Sequence, residues 1–232
     1  FAFDRELPER VQYRGRGFFM LGDVAVIHGS APLPEEIDRI VALKKPRGII
    51  LIRSVQGLAR RPVCEIIYGE AGEVRHKENG YWYTRDPMLV MFSQGNLNEK
   101  RRMAALVRSG NGEERIADMF AGIGYFTIPL AGAGANVHAI EINPPAFDYL
   151  EKNIAINGLA GRVEASLGDC RDHLKGTYDR IIMGHFDAIG AFPQALAHVT
   201  TGSTIHLHSI GTAEDEIRSC LQGAGFSADL HV

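Results

Sequence analysis

The sequence predicts an α/β protein in two parts: a small α+β domain over residues 1–84, then a doubly wound, Rossmann-type domain over residues 85–232. Three observations carry this. From Glu114 onward short apolar runs alternate with helical stretches, the pattern of a parallel sheet wound with helices. Residues 118–147, DMFAGIGYFTIPLAGAGANVHAIEINPPAF, read as strand, glycine turn, helix and a second strand ending in an acid. Ahead of them, "GFFMLGDVAVIH" and "GIILIRSV" are β-prone runs flanking a helical segment. A length of 232 residues suits one large core and one small one.

The elements follow in order. Residues 17–28 and 48–55 are strand material. Between them "PLPEEIDRIVALKKP" starts with Pro34, Glu35 and Glu36, which suit a helix N-terminus, and ends with Lys44 and Lys45 before Pro46. "CEIIYGE" and "EVRHKENGYWYTRD" come next, where Asn79-Gly80 between β-prone flanks predicts a two-residue hairpin. "NLNEKRRMAALVRSG" reads as a helix capped by Gly110. In the second domain strands are expected over 115–119, 136–141, 163–167, 180–183 and 203–209, and helices over 125–131, 145–157, 189–197 and 213–223. A ligand of such a fold belongs at the carboxyl ends of the strands.

Composition excludes several classes. No run of about 18 apolar residues is present to cross a bilayer, so no membrane association is expected. The three cysteines, Cys64, Cys170 and Cys220, are far apart and match no metal or redox spacing, which suits a reducing cytoplasm. His206 and His208 fall in an alternating run that reads as a strand, and no metal site is expected. Lys and Arg outnumber Asp and Glu by 19 to 15 over residues 1–115 but fall short by 6 to 13 afterwards. Together with the clusters Arg10/Arg14/Arg16, Lys44/Lys45/Arg47, Arg53/Arg60/Arg61 and Lys100/Arg101/Arg102, this suits a nucleic-acid phosphate partner on the first half. The chain begins at Phe1, which suggests a preceding element, and its ending "GFSADLHV" leaves room for a further strand pair.

Gly122 and Gly124 let the backbone turn sharply and approach a ligand. Glu141, ending the next strand, can accept from both hydroxyls of a ribose. A dinucleotide site would want a third glycine where this chain has Thr127. Asp169 in "SLGDCRDHL" falls just past the third strand, where a carboxylate can accept the amine of an adenine. Asp118, the FAGIG turn, Glu141 and Asp169 together form the pattern of a class I S-adenosylmethionine-dependent, methyltransferase-like domain. Asn143-Pro144-Pro145-Ala146-Phe147 resembles a flipped-base motif, but it follows the second strand rather than the fourth, so the prolines read as a helix start.

"GDVAVIHG", "HKENG", "MFSQGNLNEKRRM", "DMFAGIGYFTIPLA", "AIEINPPAFDYLEKNIAINGL" and "GDCRD", in this order, resemble the archaeal and eukaryotic tRNA enzymes that modify the guanosine beside the anticodon. Two sister groups share that layout: guanine-N1 methyltransferases, and wybutosine-pathway transferases of a 3-amino-3-carboxypropyl group. The methyltransferases usually carry proline after the second glycine and Asn-x-Pro after the fourth strand. This chain has Tyr125 and Met183-Gly184-His185, which are similar to the aminocarboxypropyl group.

The resemblance implies S-adenosylmethionine as group donor and a tRNA bearing a tricyclic wybutosine precursor as acceptor, with methyl transfer and a binding-only relative as the alternatives. It implies cofactor contacts from Ser93, Lys100, Phe120, Ala121, Gly122, Glu141, Asn143, Asp169 and the Cys170 backbone, with Lys100 on the methionine carboxylate. Glu99 is the implied acid-base group. Phe120, Tyr125 and Phe186 could stack a base, but aromatics are more often core and none is given that role. A cytoplasmic monomer is expected.

Overall fold

The computed structural model describes residues 17–57, 59–91, 97–110, 113–209 and 213–230. Strands β1 (Phe18–Leu21), β2 (Val24–His28), β3 (Gly48–Gln56) and β4 (Arg61–Gly69) form one sheet in the order β1-β2-β3-β4. Its outer pairings are antiparallel and β2–β3 is parallel, joined by α1 (Pro34–Lys44). The uninterrupted apolar runs of β2 and β3 are explained by burial on both faces. Val24, Val26, Ile50 and Ile52 pack in one cluster, while Ala25, Ile27, Ile49 and Leu51 pack on the other face with Ile40 of α1. The Glu36 carboxylate accepts the Leu33 N–H at 2.9 Å at the start of α1, and Lys45 turns left-handed at φ 46° to end it.

The hairpin of β5 (Val74–Glu78) and β6 (Tyr81–Arg85) turns on Asn79 at φ 51° and Gly80 at φ 91°, the two positive φ values its two-residue turn demands. Val74 packs with the first sheet, whereas Tyr81 and Tyr83 join the core of the second. Asparagines of α4 (Pro144–Ile156) and its cap serve the hairpin as a surrogate strand. The Thr84 N–H donates to Asn153 Oδ1 at 2.7 Å, and Trp82 exchanges backbone bonds with the Asn157 amide at 2.9 and 2.7 Å. Residues just before the expected boundary at 84/85 therefore pack on both parts.

The second sheet comprises β7 (Arg115–Asp118), β8 (Asn136–Glu141), β9 (Val163–Leu167), β10 (Arg180–Met183) and β11 (Thr204–Leu207), all parallel, in the order β11-β10-β7-β8-β9. Helices α2 (Leu97–Ser109), α3 (Thr127–Gly132), α4, α5 (Cys170–His173), α6 (Phe192–Leu196) and α7 (Glu214–Gly223) accompany it. This is the Rossmann-type architecture expected from the strand–helix alternation. The helix expected over 189–197 is instead a 3₁₀ turn, Ala188–Ala191, followed by α6. Pro193 has no N–H to give the Ile189 carbonyl, which accepts from Phe192 instead, so one continuous helix cannot form. Fully buried Ile116, Ile181 and Ile182 hold β7 and β10 at the centre, each worth roughly 1.5–3 kcal/mol of burial.

Candidate functional site

The chain runs β7→β8→β9 in one direction and then crosses to β10 and β11 on the other side of β7, so the strand order reverses between β7 and β10. Ligands of open α/β sheets bind at that reversal, beyond the carboxyl ends of the strands. A cavity of about 340 Å³ opens there, with Phe120, Gly122, Glu141, Asn143, Asp169 and His185 in its lining.

The glycine turn is built for close approach. Gly122 and Gly124 take φ values of 57° and 102°, and a Cβ on Gly124 would come 2.8 Å from Ile128 Cγ1 and 3.2 Å from Leu150 Cδ1. Glu141 holds the turn from the next strand. Its Oε2 accepts the Gly122 N–H at 2.7 Å and its Oε1 the Asn143 N–H at 2.8 Å. Burial raises the Glu141 pKa, and the backbone donors at Asn143 and Gly122 oppose that rise. Each oxygen retains acceptor capacity for a hydroxyl. Asn143 donates through Nδ2 to the Ala59 carbonyl at 3.0 Å, while its buried Oδ1 has no partner among the described residues. Thr127, at the place of a third glycine, donates to the buried Asp118 Oδ2 at 2.7 Å. Burial lifts the Asp118 pKa to about 6.

Asp169 caps α5 through the Arg171 N–H and is also gripped by the Arg171 guanidinium at 2.9 and 2.5 Å, which holds its pKa at about 2. Cys170 beside it is buried, and burial pushes its thiol up to about 11. It contributes to the lining as a backbone and packing residue rather than as a thiolate.

Tyr125 stands between the cavity and a buried polar cluster. Its ring carbons lie 3.4 and 3.5 Å from where a Cβ on Gly122 would be. Its hydroxyl accepts from Arg85 Nη1 at 2.6 Å and donates to the Met91 carbonyl at 3.1 Å. Lys100 Nζ sits 4.4 Å from the ring centroid and 2.8 Å from Glu78 Oε1. Arg85 and Lys100 are 0% and 1% exposed.

Of the residues the sequence singled out, Phe120, Gly122, Glu141, Asn143, Asp169 and Cys170 line the cavity together. Lys100 does not: it is committed to Glu78. Ala121 is packed in the core, its N–H bonded to the Ile140 carbonyl. Glu99 is also outside the lining, paired with Arg102 at 2.8 and 2.6 Å, a bond that lowers its pKa and makes it a weak base. Ser93 falls outside the described residues. The lining also includes residues for which no cofactor contact was expected, notably Ala59 and Arg60 from the β3–β4 turn, the latter read only as part of a basic cluster, and His185 with Phe186 after β10. The carboxyl end of β10 was a legible signal for the latter pair. Nothing local could have brought Arg60 to the second sheet.

Fold and cavity together define a class I, methyltransferase-like Rossmann protein. The chain belongs to the TRM5/TYW2 methyltransferase domain family, whose profile matches residues 74–222. It is 39% identical over 193 residues to the tRNA(Phe) (4-demethylwyosine(37)-C(7)) aminocarboxypropyltransferase of Methanocaldococcus jannaschii, covering 81% of this chain and 76% of the relative. Among solved structures, P. horikoshii TYW2 in complex with MeSAdo superposes with a TM-score of 0.71 at 29% identity, covering 94% of this chain and 81% of that one. The complex of aTrm5 and tRNALeu superposes with a TM-score of 0.77 at 28% identity, and there this chain, 89% covered, spans 63% of the longer protein.

Proposed function

We propose that the protein transfers the 3-amino-3-carboxypropyl group of S-adenosylmethionine to C7 of a tricyclic wybutosine precursor, at the guanosine beside the anticodon of tRNA, with methylthioadenosine as the second product. The observation that carries this reading is the Tyr125 ring seated against Gly122 by Arg85. Proline, the residue usual at this position in the sister methyltransferases, has no such ring to place there. The name of the M. jannaschii relative supports the same activity.

The chain's own groups suit the cofactor. The bare Cα of Gly122 admits close approach, Glu141 has free lone pairs for ribose hydroxyls, and the Asn143 Oδ1 acceptor is unpartnered among the described residues. Asp169 takes the adenine amine in exchange for part of its pairing with Arg171, and the Cys170 backbone meets the ring edge. When bound, S-adenosylmethionine would supply a sulfonium-activated carbon: the acceptor carbon would bond to it as the carbon–sulfur bond breaks, the acceptor's proton would pass to solvent, and methylthioadenosine would depart as a neutral thioether. Met119, Phe120 and Ile123 exclude water from the cavity wall. No acid-base residue is required at the leaving group, and Glu99, paired with Arg102 outside the cavity lining, is given no part in the transfer.

Residues 1–84 serve as the tRNA-contacting part and 85–232 as the catalytic part of a cytoplasmic monomer. No helix among the described residues is long and apolar enough to cross a membrane, and no cluster of metal-ligating side chains is found among them. Guanine-N1 methyl transfer at the same position is the second reading, favoured by the overall likeness to aTrm5. Against it stand Tyr125 and the Met183-Gly184-His185 sequence where Asn-x-Pro would be. The test is incubation with S-adenosylmethionine and tRNA bearing the tricyclic precursor, followed by mass identification of the small product. Methylthioadenosine is expected; S-adenosylhomocysteine with a methylated guanosine would establish the second reading.

A further inference from the structure

The hairpin of β5 and β6 has two faces, and only the inner one is packed. Strand alternation puts His76, Tyr81, Tyr83 and Arg85 on that inner face, where Tyr81 and Tyr83 join the core of the second sheet. Arg75, Lys77, Trp82 and Thr84 point the other way, with Arg75 opposite Thr84 and Lys77 opposite Trp82 in the register. None of these four lines the cavity.

Trp82 is the single tryptophan of the sequence, and it is 39% exposed where an outward strand residue is ordinarily polar. Its N–H and carbonyl are both bonded to the Asn157 amide, at 2.9 and 2.7 Å, so β6 cannot slip to turn the indole inward. The Arg75 guanidinium carbon lies 4.4 Å from the ring centroid and Lys77 Nζ 5.6 Å. Contact with the ring holds both long side chains in place. A guanidinium stacked in this way keeps its in-plane N–H donors for another acceptor.

The charge on this face is of one sign. Arg75 and Lys77 are exposed and make no ion pair with a described residue, and no acid shares the face with them. Arg101 of α2 reaches the turn of the hairpin by donating to Asn79 Oδ1 at 2.5 Å, likewise without a carboxylate partner among the described residues. The acids next to the hairpin are taken, Glu73 by Lys152 and Glu78 by Lys100. Arg47, Arg53 and Arg102, by contrast, each have a carboxylate of their own.

We propose that the outer face of the β5–β6 hairpin is a docking surface for an unpaired stretch of RNA, with phosphates on Arg75 and Lys77 and a base against the open part of the Trp82 indole. This rests on the tRNA partner of the reading above. Two residues along an antiparallel strand stand about 6.8 Å apart, close to the separation of successive phosphates on an extended nucleic-acid strand. An aromatic surface set among cations binds single strands with little regard to sequence, because every base has a face to stack. An acidic protein segment is the lesser fit, since its carboxylates leave the exposed ring uncovered.

Because Trp82 is the sole tryptophan, its fluorescence reports on this face alone. Titration with a tRNA transcript at low salt should quench the emission to saturation, with the midpoint found by filter binding, and added salt should reverse it. Arg75→Gln combined with Lys77→Gln keeps the fluorophore and should lower the logarithmic salt slope by about 1.4, two contacts at roughly 0.7 each. Trp82→Ala should weaken tRNA binding about 5- to 150-fold, and Trp82→Phe should restore most of it, because a smaller ring still stacks. S-adenosylmethionine affinity should be unchanged in these variants. Filter binding of tRNA with an unquenched indole would overturn the proposal and leave the tRNA reading standing. An unchanged salt slope in the double variant, or equal quenching by polyglutamate, would overturn it too. Wild-type protein that binds no tRNA would overturn the tRNA reading itself.

Discussion

The backbone N–H of Gly122 lies 2.7 Å from Glu141 Oε2, so the turn after β7 and the acid ending β8 form a single hydrogen-bonded unit. Two residues 19 apart in sequence thus fix the floor of the cavity, and the acid is both a structural clamp and a ligand for hydroxyls.

Glu141→Ala removes both roles. It should weaken S-adenosylmethionine and methylthioadenosine alike, by about 1.5–3 kcal/mol each, because both carry the ribose. Isothermal calorimetry with the two ligands checks this; unchanged affinity would mean the nucleoside sits elsewhere.

Tyr125→Ala uncovers Gly122 and empties the space beside it. If the ring takes part in choosing the product, the ratio of S-adenosylhomocysteine to methylthioadenosine should rise, by about tenfold for an exclusion worth about 1.4 kcal/mol. Quantifying both products by mass spectrometry decides it, and an unaltered ratio would remove Tyr125 from the choice of product.

Much of this arrangement was legible in the sequence, because it depends on local rules. The five parallel strands follow from apolar runs, the Asn79-Gly80 hairpin from the need for two positive φ values, and the start of α4 from Pro144 and Pro145. Phe120, Gly122, Glu141 and Asp169 converge because strand ends in a parallel sheet share one edge. What was not legible is tertiary pairing. A basic residue reads as surface, yet Arg85 is fully buried because Tyr125, 40 positions away, accepts from it, and Lys100 is withdrawn because Glu78 takes its charge. Arg60 reaches the cavity on a turn whose preceding residue, Ala59, is held by Asn143 from 84 positions on.

The basic clusters of the first half divide in the same way. Arg47 is paired with Asp23, Arg53 with Glu65 and Arg102 with Glu99. Lys44, Lys45 and Arg61 are exposed and make no ion pair with a described residue. Reversing these three charges to Glu should weaken tRNA binding and flatten its salt dependence, because each phosphate contact contributes roughly 0.9 to the logarithmic slope on duplex and about 0.7 on single strands. Cofactor affinity should hold. Filter binding across a salt series is the measurement, and an unchanged slope would assign these residues to solvated surface.

Asp118 gives the stability a pH signature. Its folded pKa of about 6 stands above the ordinary 3.8, so the folded state binds the proton more tightly than the unfolded chain does. The resulting stabilisation is complete below 3.8 and is lost as pH rises through about 6, after which the buried charge opposes folding. Asp118→Asn keeps an oxygen for the Thr127 hydroxyl and cannot titrate. Denaturant unfolding of both proteins from pH 4 to 8 should show the variant gaining on wild type as pH rises to about 6, then a constant difference. Parallel curves throughout would contradict the assignment.

The central claim is that the amino-acid arm, and not the methyl group, leaves the sulfonium. It is tested most directly with two preparations of S-adenosylmethionine, one labelled in the carboxyl carbon and one in the methyl carbon, each incubated with tRNA bearing the tricyclic precursor. Label from the carboxyl carbon should enter the tRNA while the methyl label stays in the released thioether. Methyl label in the tRNA, with the carboxyl label left in solution, would contradict the account.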